Sequence, residues 1–112
     1  MAMLAGVLAA CGGSSAATPE LGGAWQLENG NHEGRAVPIV EGSRITLIVD
    51  GDTIGGTAAC NMYGGRIEQD GVSVHLVVTS MTALGCAEPV MASEAAYVDA
   101  LAEVTTAARD GD

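Results

Sequence analysis

Three kinds of side chain here can do more than pack: cysteine, histidine and the turn carboxylates. Cys60 lies in Gly55-Gly56-Thr57-Ala58-Ala59-Cys60-Asn61-Met62-Tyr63-Gly64-Gly65, and Cys86 lies in Thr82-Ala83-Leu84-Gly85-Cys86. Two thiols in small-residue stretches of one domain either join as a disulfide or stay reduced as small buried hydrophobes. The bonded form, Cys60 to Cys86, is the expectation, because a small domain with a thin core gains most from a covalent staple. His75 beside either thiol would make a thiol–imidazole pair, but it falls on the polar side of an alternating strand and reads as surface. Zinc is not expected, since neither Cys-x-x-Cys nor paired-His spacing is present. Asp50, Asp52 and Asp70 lack the spacing of a calcium loop, and Asp50 and Asp70 precede glycine as hairpin residues do. His32 and Glu33 sit in a polar loop and read as solvated. The glycine-rich stretch is no phosphate loop: no Lys follows it and no helix opens behind it. No catalytic residue, metal ligand or cofactor is therefore expected.

The elements that would hold these residues follow from periodicity. Leu21 to Asn29 reads as a strand with Trp25 and Leu27 on one face and Gln26 and Glu28 on the other. Asn29 to Gly34 is a loop by composition, and Pro38 keeps Arg35 to Val40 from being a central strand. Arg44 to Val49 is the clearest strand, with Ile45, Leu47 and Val49 on one face. Asp50-Gly51 turns it into a partner running from Asp52 through Cys60, bulged at Gly55-Gly56 and broken at Asn61. A second hairpin joins Arg66–Gln69 to Val72–Val78 through Asp70-Gly71, with Val72, Val74, Leu76 and Val78 sharing a face. Thr79 to Glu88 is a loop. Pro89 suits a first helical turn, Glu94 suits the helix dipole, and the helix continues to Val104 with Val90, Tyr97, Leu101 and Val104 near one face. Thr105 to Ala108 begins another strand, and Asp110-Gly111 is a further hairpin signal.

The chain's 112 residues hold one domain. They are 48% hydrophobic with no Phe, so aliphatic residues, alanine and methionine must fill the core. Met62, Met81 and Met91 read as core filling, with lining of a ligand-binding interior as the alternative. A net charge of −10, with four Arg and no Lys, makes nucleic acid a poor partner and an anionic membrane surface repulsive. The acidity reads as solubility.

Residues 1–10 are apolar and small, ending Leu8-Ala9-Ala10-Cys11, and a Gly/Ser-rich run follows. This pattern resembles the end of a secretory signal carrying a bacterial lipobox, whose cysteine is acylated and becomes the mature N-terminus. The signal is short and has no Lys or Arg before its apolar run. About ten apolar residues are too few for a transmembrane helix, which needs roughly 20. The expected division is a short or incomplete signal peptide over 1–10, lipidated Cys11 with a flexible linker over 11–20, and one domain over 21–112. Acylation would consume Cys11 and leave Cys60 and Cys86 as an even pair in an oxidising compartment.

Leu21-Gly-Gly-Ala-Trp25-Gln-Leu27, Ile45-Thr-Leu47, the Cys60-Asn61-Met62-Tyr63-Gly64 core and Thr82-Ala83-Leu84-Gly85-Cys86 together resemble the META domain, or HslJ-like, family of bacterial envelope proteins. The matching motif residues are Trp25, Gly56, Cys60, Asn61, Tyr63, Gly64, Thr82 and Cys86. The resemblance implies a mainly β (α+β) fold: a small antiparallel barrel-like sheet with one packed helix, here expected to lack its last strands. It implies lipoproteins or secreted proteins, some heat-inducible, with no established catalysis. The function expected is that of a non-enzymatic envelope lipoprotein in envelope or heat stress. It would be lipid-anchored on the extracytoplasmic side, with the membrane as partner through the anchor. The alternative is a carrier of small apolar ligands.

Overall fold

A computed structural model describes residues 20–109. The signal segment, Cys11, the linker up to residue 19 and the Asp110-Gly111 turn lie outside the described residues. In chain order the elements are β1 (Gly23–Gln26), β2 (Asn31–His32), β3 (Arg35–Ala36), β4 (Thr46–Asp50), β5 (Thr53–Ala58), β6 (Asn61–Asp70), β7 (Ser73–Met81) and α1 (Glu88–Ala102). Five strands form one antiparallel sheet in the order β1-β4-β5-β6-β7, and β2 and β3 form a separate ribbon.

Alternation decides which face is buried. Ile45, Val49, Ile54, Ile67, Val74 and Leu76 project to one side and meet Tyr97 and Leu101 of α1, while Ile48 and His75 face solvent. The two Asp-Gly hairpins lie where the sequence places them, between β4 and β5 and between β6 and β7.

Several boundaries differ from the expectation, each for a physical reason. The sheet is open and not a closed barrel. Beyond β7 only residues 105–107 add to it among the described residues, with the Val74 amide donating to the Thr105 carbonyl at 2.9 Å and the Ala107 amide to the Val72 carbonyl at 2.8 Å. α1 covers the inner face in place of strands that would close the ring. β1 is shorter than Leu21 to Asn29, although the Leu27 amide still reaches the Ile45 carbonyl at 2.9 Å. The loop after it contains the β2–β3 ribbon, turned at Glu33 (φ 55°) and Gly34 (φ 80°).

The largest correction is at the cysteine. β5 ends at Ala58, Ala59 and Cys60 form the turn, and Asn61 opens β6 instead of breaking a strand. Ala59 takes φ 73°, a left-handed position that costs a non-glycine residue about 1–2 kcal/mol. The register shift sits between Gly64 and Gly65, against β7, and not at Gly55-Gly56. A Cβ on Gly65 would overlap the Val77 carbonyl, and one on Gly56 would overlap the Thr46 carbonyl, so both glycines mark close backbone approach.

Candidate functional site

Two places in the fold concentrate chemistry, at opposite extremes of polarity. The first is a buried polar junction around Asn61. Its side-chain amide makes four hydrogen bonds. Nδ2 donates to Glu94 Oε2 at 2.8 Å and to the Leu84 carbonyl at 3.1 Å. Oδ1 accepts from the Thr82 hydroxyl at 2.9 Å and from the Leu84 amide at 2.6 Å. A primary amide offers two donors and two acceptor lone pairs, so Asn61 is saturated. Its backbone N–H adds a bond to Glu94 Oε1 at 2.6 Å. One residue therefore joins the start of β6, the segment before α1, and α1 itself.

The Cys60–Cys86 disulfide lies beside this junction, across a separation of 26 residues. Cys86 is exposed and Cys60 half-buried, whereas Asn61 and Glu94 are buried. Thr82 is tied twice more, its hydroxyl accepting from the Met62 amide at 3.0 Å and its own amide donating to the Met62 carbonyl at 2.9 Å.

Below the junction, Tyr63 donates its hydroxyl proton to the Thr46 carbonyl at 2.7 Å. That leaves Tyr97 as donor in the 2.6 Å contact between the two phenols. Burial pushes both phenols up. Both phenols therefore stay protonated near neutral pH, as hydrogen-bonding groups. Ser93, fully buried one position before Glu94, donates to the Pro38 carbonyl at 2.6 Å and ties α1 to the chain after β3.

The second place is an aliphatic cavity of about 370 Å³ between the inner face of the sheet and α1. Leu27, Leu47, Leu76, Leu101 and Val104 supply its walls, and Trp25, Glu28, Asn29 and Arg109 also border it. The Arg109 guanidinium stacks over the Trp25 ring at 4.9 Å and donates to the Glu20 carbonyl at 2.8 Å. The volume lies at the low end of the roughly 300–1,000 Å³ usual for small-molecule pockets.

The structure brings Cys60, Asn61, Thr82 and Cys86 together at one end of the sheet, with Tyr63 next along β6. Gly56 faces Tyr63 in register, and Gly64 faces Ser80. Trp25 stands at the cavity instead. Asp50, Asp52, Asp70 and His75 are exposed. His32 departs from its reading as solvated: its ring is half-buried, and Nε2 is shut off from solvent without a hydrogen bond. Met62, Met81 and Met91 neither belong to the core, as expected of them, nor line the interior. Met62 is 64% and Met81 36% exposed, and neither these two nor Met91 borders the cavity. Glu94 is the functional residue the sequence hides. It reads as a charge suited to the helix dipole, whereas its carboxylate is the acceptor on which Asn61 depends. Glu94 sits one turn before Tyr97 on the apolar face of α1, and that placement was the only available signal.

A family model described as the META domain matches residues 18–112. No curated protein and no solved structure matches the chain.

Proposed function

The chain belongs to the META domain family, and from that premise we propose that it is an exported envelope protein, held at the membrane by lipid on Cys11, serving in envelope or heat stress. It acts by binding or structural support and not by catalysis. The observation that carries this reading is the Cys60–Cys86 disulfide, because such bonds persist in oxidising compartments and are rare in reducing ones. The Leu8-Ala9-Ala10-Cys11 sequence supplies the anchor. Among the described residues no helix is long and apolar enough to cross a membrane. Buried acyl chains contribute about 0.8 kcal/mol per CH₂, so two or more chains outweigh the repulsion between an acidic domain and an anionic surface. A role short of catalysis is supported by the junction itself, where Asn61 spends every donor and acceptor on neighbouring protein groups. The test is fractionation of cells expressing Cys11→Ala. The variant is expected in the soluble fraction, and unchanged membrane association removes lipidation from the proposal.

The cavity favours a second reading, a carrier of small apolar ligands. Leucine and valine side chains dominate its walls beside the Trp25 and Tyr97 rings, so flexible hydrocarbon chains suit it. A carrier is stabilised in proportion to RT ln(1 + [L]/Kd), which amounts to about 2.7 kcal/mol at a ligand concentration one hundred times Kd. Thermal unfolding against a series of alkanols tests it. A midpoint that stays constant across the series rules the carrier out.

A further inference from the structure

We propose that the Cys60–Cys86 bond is a site of thiol–disulfide exchange, opened by a dithiol reductant while the domain around it stays folded. The two thiols would then remain held near one another for reoxidation.

Access comes first. Cys86 is exposed, and so is every other residue of the segment from Thr82 to Pro89. Exchange requires a thiolate to reach a disulfide sulfur, and exposure of that sulfur controls the rate. Confinement comes second. Leu84 is fastened to Asn61 through both its amide, at 2.6 Å, and its carbonyl, at 3.1 Å. Ala87 is fastened to α1, its carbonyl accepting from the Val90 and Met91 amides at 2.9 and 3.0 Å. Only Gly85 and Cys86 lie between these two points. On the other strand Cys60 is held in the turn whose flanking residues, Ala58 and Asn61, are paired. None of the four bonds made by the Asn61 side chain involves sulfur, so all four survive when the disulfide opens.

The chemistry balances without any group from the protein. One thiolate of the dithiol attacks Cys86 Sγ, the S–S bond breaks, and Cys60 leaves as a thiolate that takes a proton from water. The second thiol of the reagent, deprotonated, attacks the mixed disulfide and releases Cys86. The dithiol loses two electrons and becomes a disulfide, and the protein gains two thiols. Asn61 is a positioning residue in this scheme, because it sets the effective concentration of one thiol at the other.

The test is equilibration of the intact chain with graded ratios of reduced to oxidised dithiothreitol, read by alkylation and mass. Amide exchange is then measured on the reduced form. Reduced protein should keep slow exchange at residues 61–63, at Thr82 and Leu84 and along α1, and the reduction rate should not change in low urea. Each hydrogen bond lost from Asn61 to Leu84 is worth about a factor of five in an equilibrium constant. Asn61→Ala should therefore lower the constant for forming the bond about tenfold or more. Thr82→Val removes one acceptor contact of Asn61 and serves where Asn61→Ala does not fold, with an expected shift of about fivefold. The proposal is overturned if reduction follows global unfolding and accelerates with urea throughout. It is equally overturned if the reduced chain loses protection across the sheet, or if the folded variants keep the parent equilibrium constant.

Discussion

The sheet has a polar, sealed end at Asn61 and an aliphatic, open end at Trp25. At the sealed end the Asn61 amide and the Glu94 carboxylate are buried with a partner for each donor and acceptor of Asn61, the exposed Thr82 contributes its hydroxyl from outside, and a covalent bond ties the same segment. At the open end directional bonds are sparser: the Trp25 indole N–H donates to the Leu21 carbonyl at 2.8 Å, and the Tyr97 hydroxyl meets that of Tyr63 at 2.6 Å. Elsewhere leucine and valine side chains border about 370 Å³ of cavity, and the Arg109 guanidinium stacks over Trp25 at its edge. The difference teaches where this small domain keeps its specificity. Directional bonds define one geometry, and a buried polar group that loses its partner costs about 1–3 kcal/mol. Dispersion contacts beside empty volume define it far less sharply.

Substitutions at the sealed end should therefore cost more than comparable ones at the open end. The largest effect is expected for Asn61→Asp, which removes both Nδ2 donors and sets a carboxylate against the Glu94 carboxylate. Its cost should be about 3–5 kcal/mol, in the range of an uncompensated buried charge. Urea unfolding measures it, and a loss below about 1 kcal/mol would erase the contrast between the two ends.

Removing the disulfide by Cys60→Ala with Cys86→Ala should cost about 3.5 kcal/mol by the loop-closure estimate, leaving a folded domain with a lower urea midpoint. Glu94→Gln comes next, at about 2 kcal/mol. Both Glu94 oxygens face donors, the Asn61 amide N–H and Nδ2, so a glutamine NH₂ must point at one of them.

The tyrosine pair gives the contrast a pH signature. Both phenols titrate higher in the folded state than in the unfolded chain. Their contribution is thus complete below the unfolded value near pH 10 and is lost as pH climbs toward the folded values. Above about pH 10, stability should fall by up to about 1.4 kcal/mol per pH unit for each tyrosine. Tyr63→Phe should roughly halve that slope. The smallest effect is expected at the open end, where Leu27→Ala should cost no more than about 1 kcal/mol: its side chain is half-buried and already borders empty space.

Much of the sheet was legible from local pattern. Ile45, Leu47 and Val49 share the inner face as their alternation requires, and Asp50-Gly51 and Asp70-Gly71 turn where two-residue hairpin chemistry places them. The pairing of Cys60 with Cys86 was also readable, since few thiols leave few combinations. Asn61 was legible as special and misread in role. A turn-favouring asparagine and a strand-opening one look alike until the partner is known, and Glu94 lies 33 residues away. No periodicity carries a polar contact over that span. The bulge was displaced for a related reason. Gly55-Gly56 and Gly64-Gly65 are equivalent in composition, and only the β6–β7 register shows which pair faces the extra residue, Thr79 of β7. The cavity had no signature at all, because aliphatic walls read the same whether or not anything fills the space between them.

Trp25 is the only tryptophan in the chain, and its ring borders the cavity while lying under the Arg109 guanidinium. The colour of indole emission follows the polarity of its surroundings, and a stacked cation alters its brightness. Entry of a hydrocarbon chain, or departure of the arginine, would thus shift one optical signal with no competing fluorophore of its kind. The domain carries a built-in gauge of its open end, readable without labels.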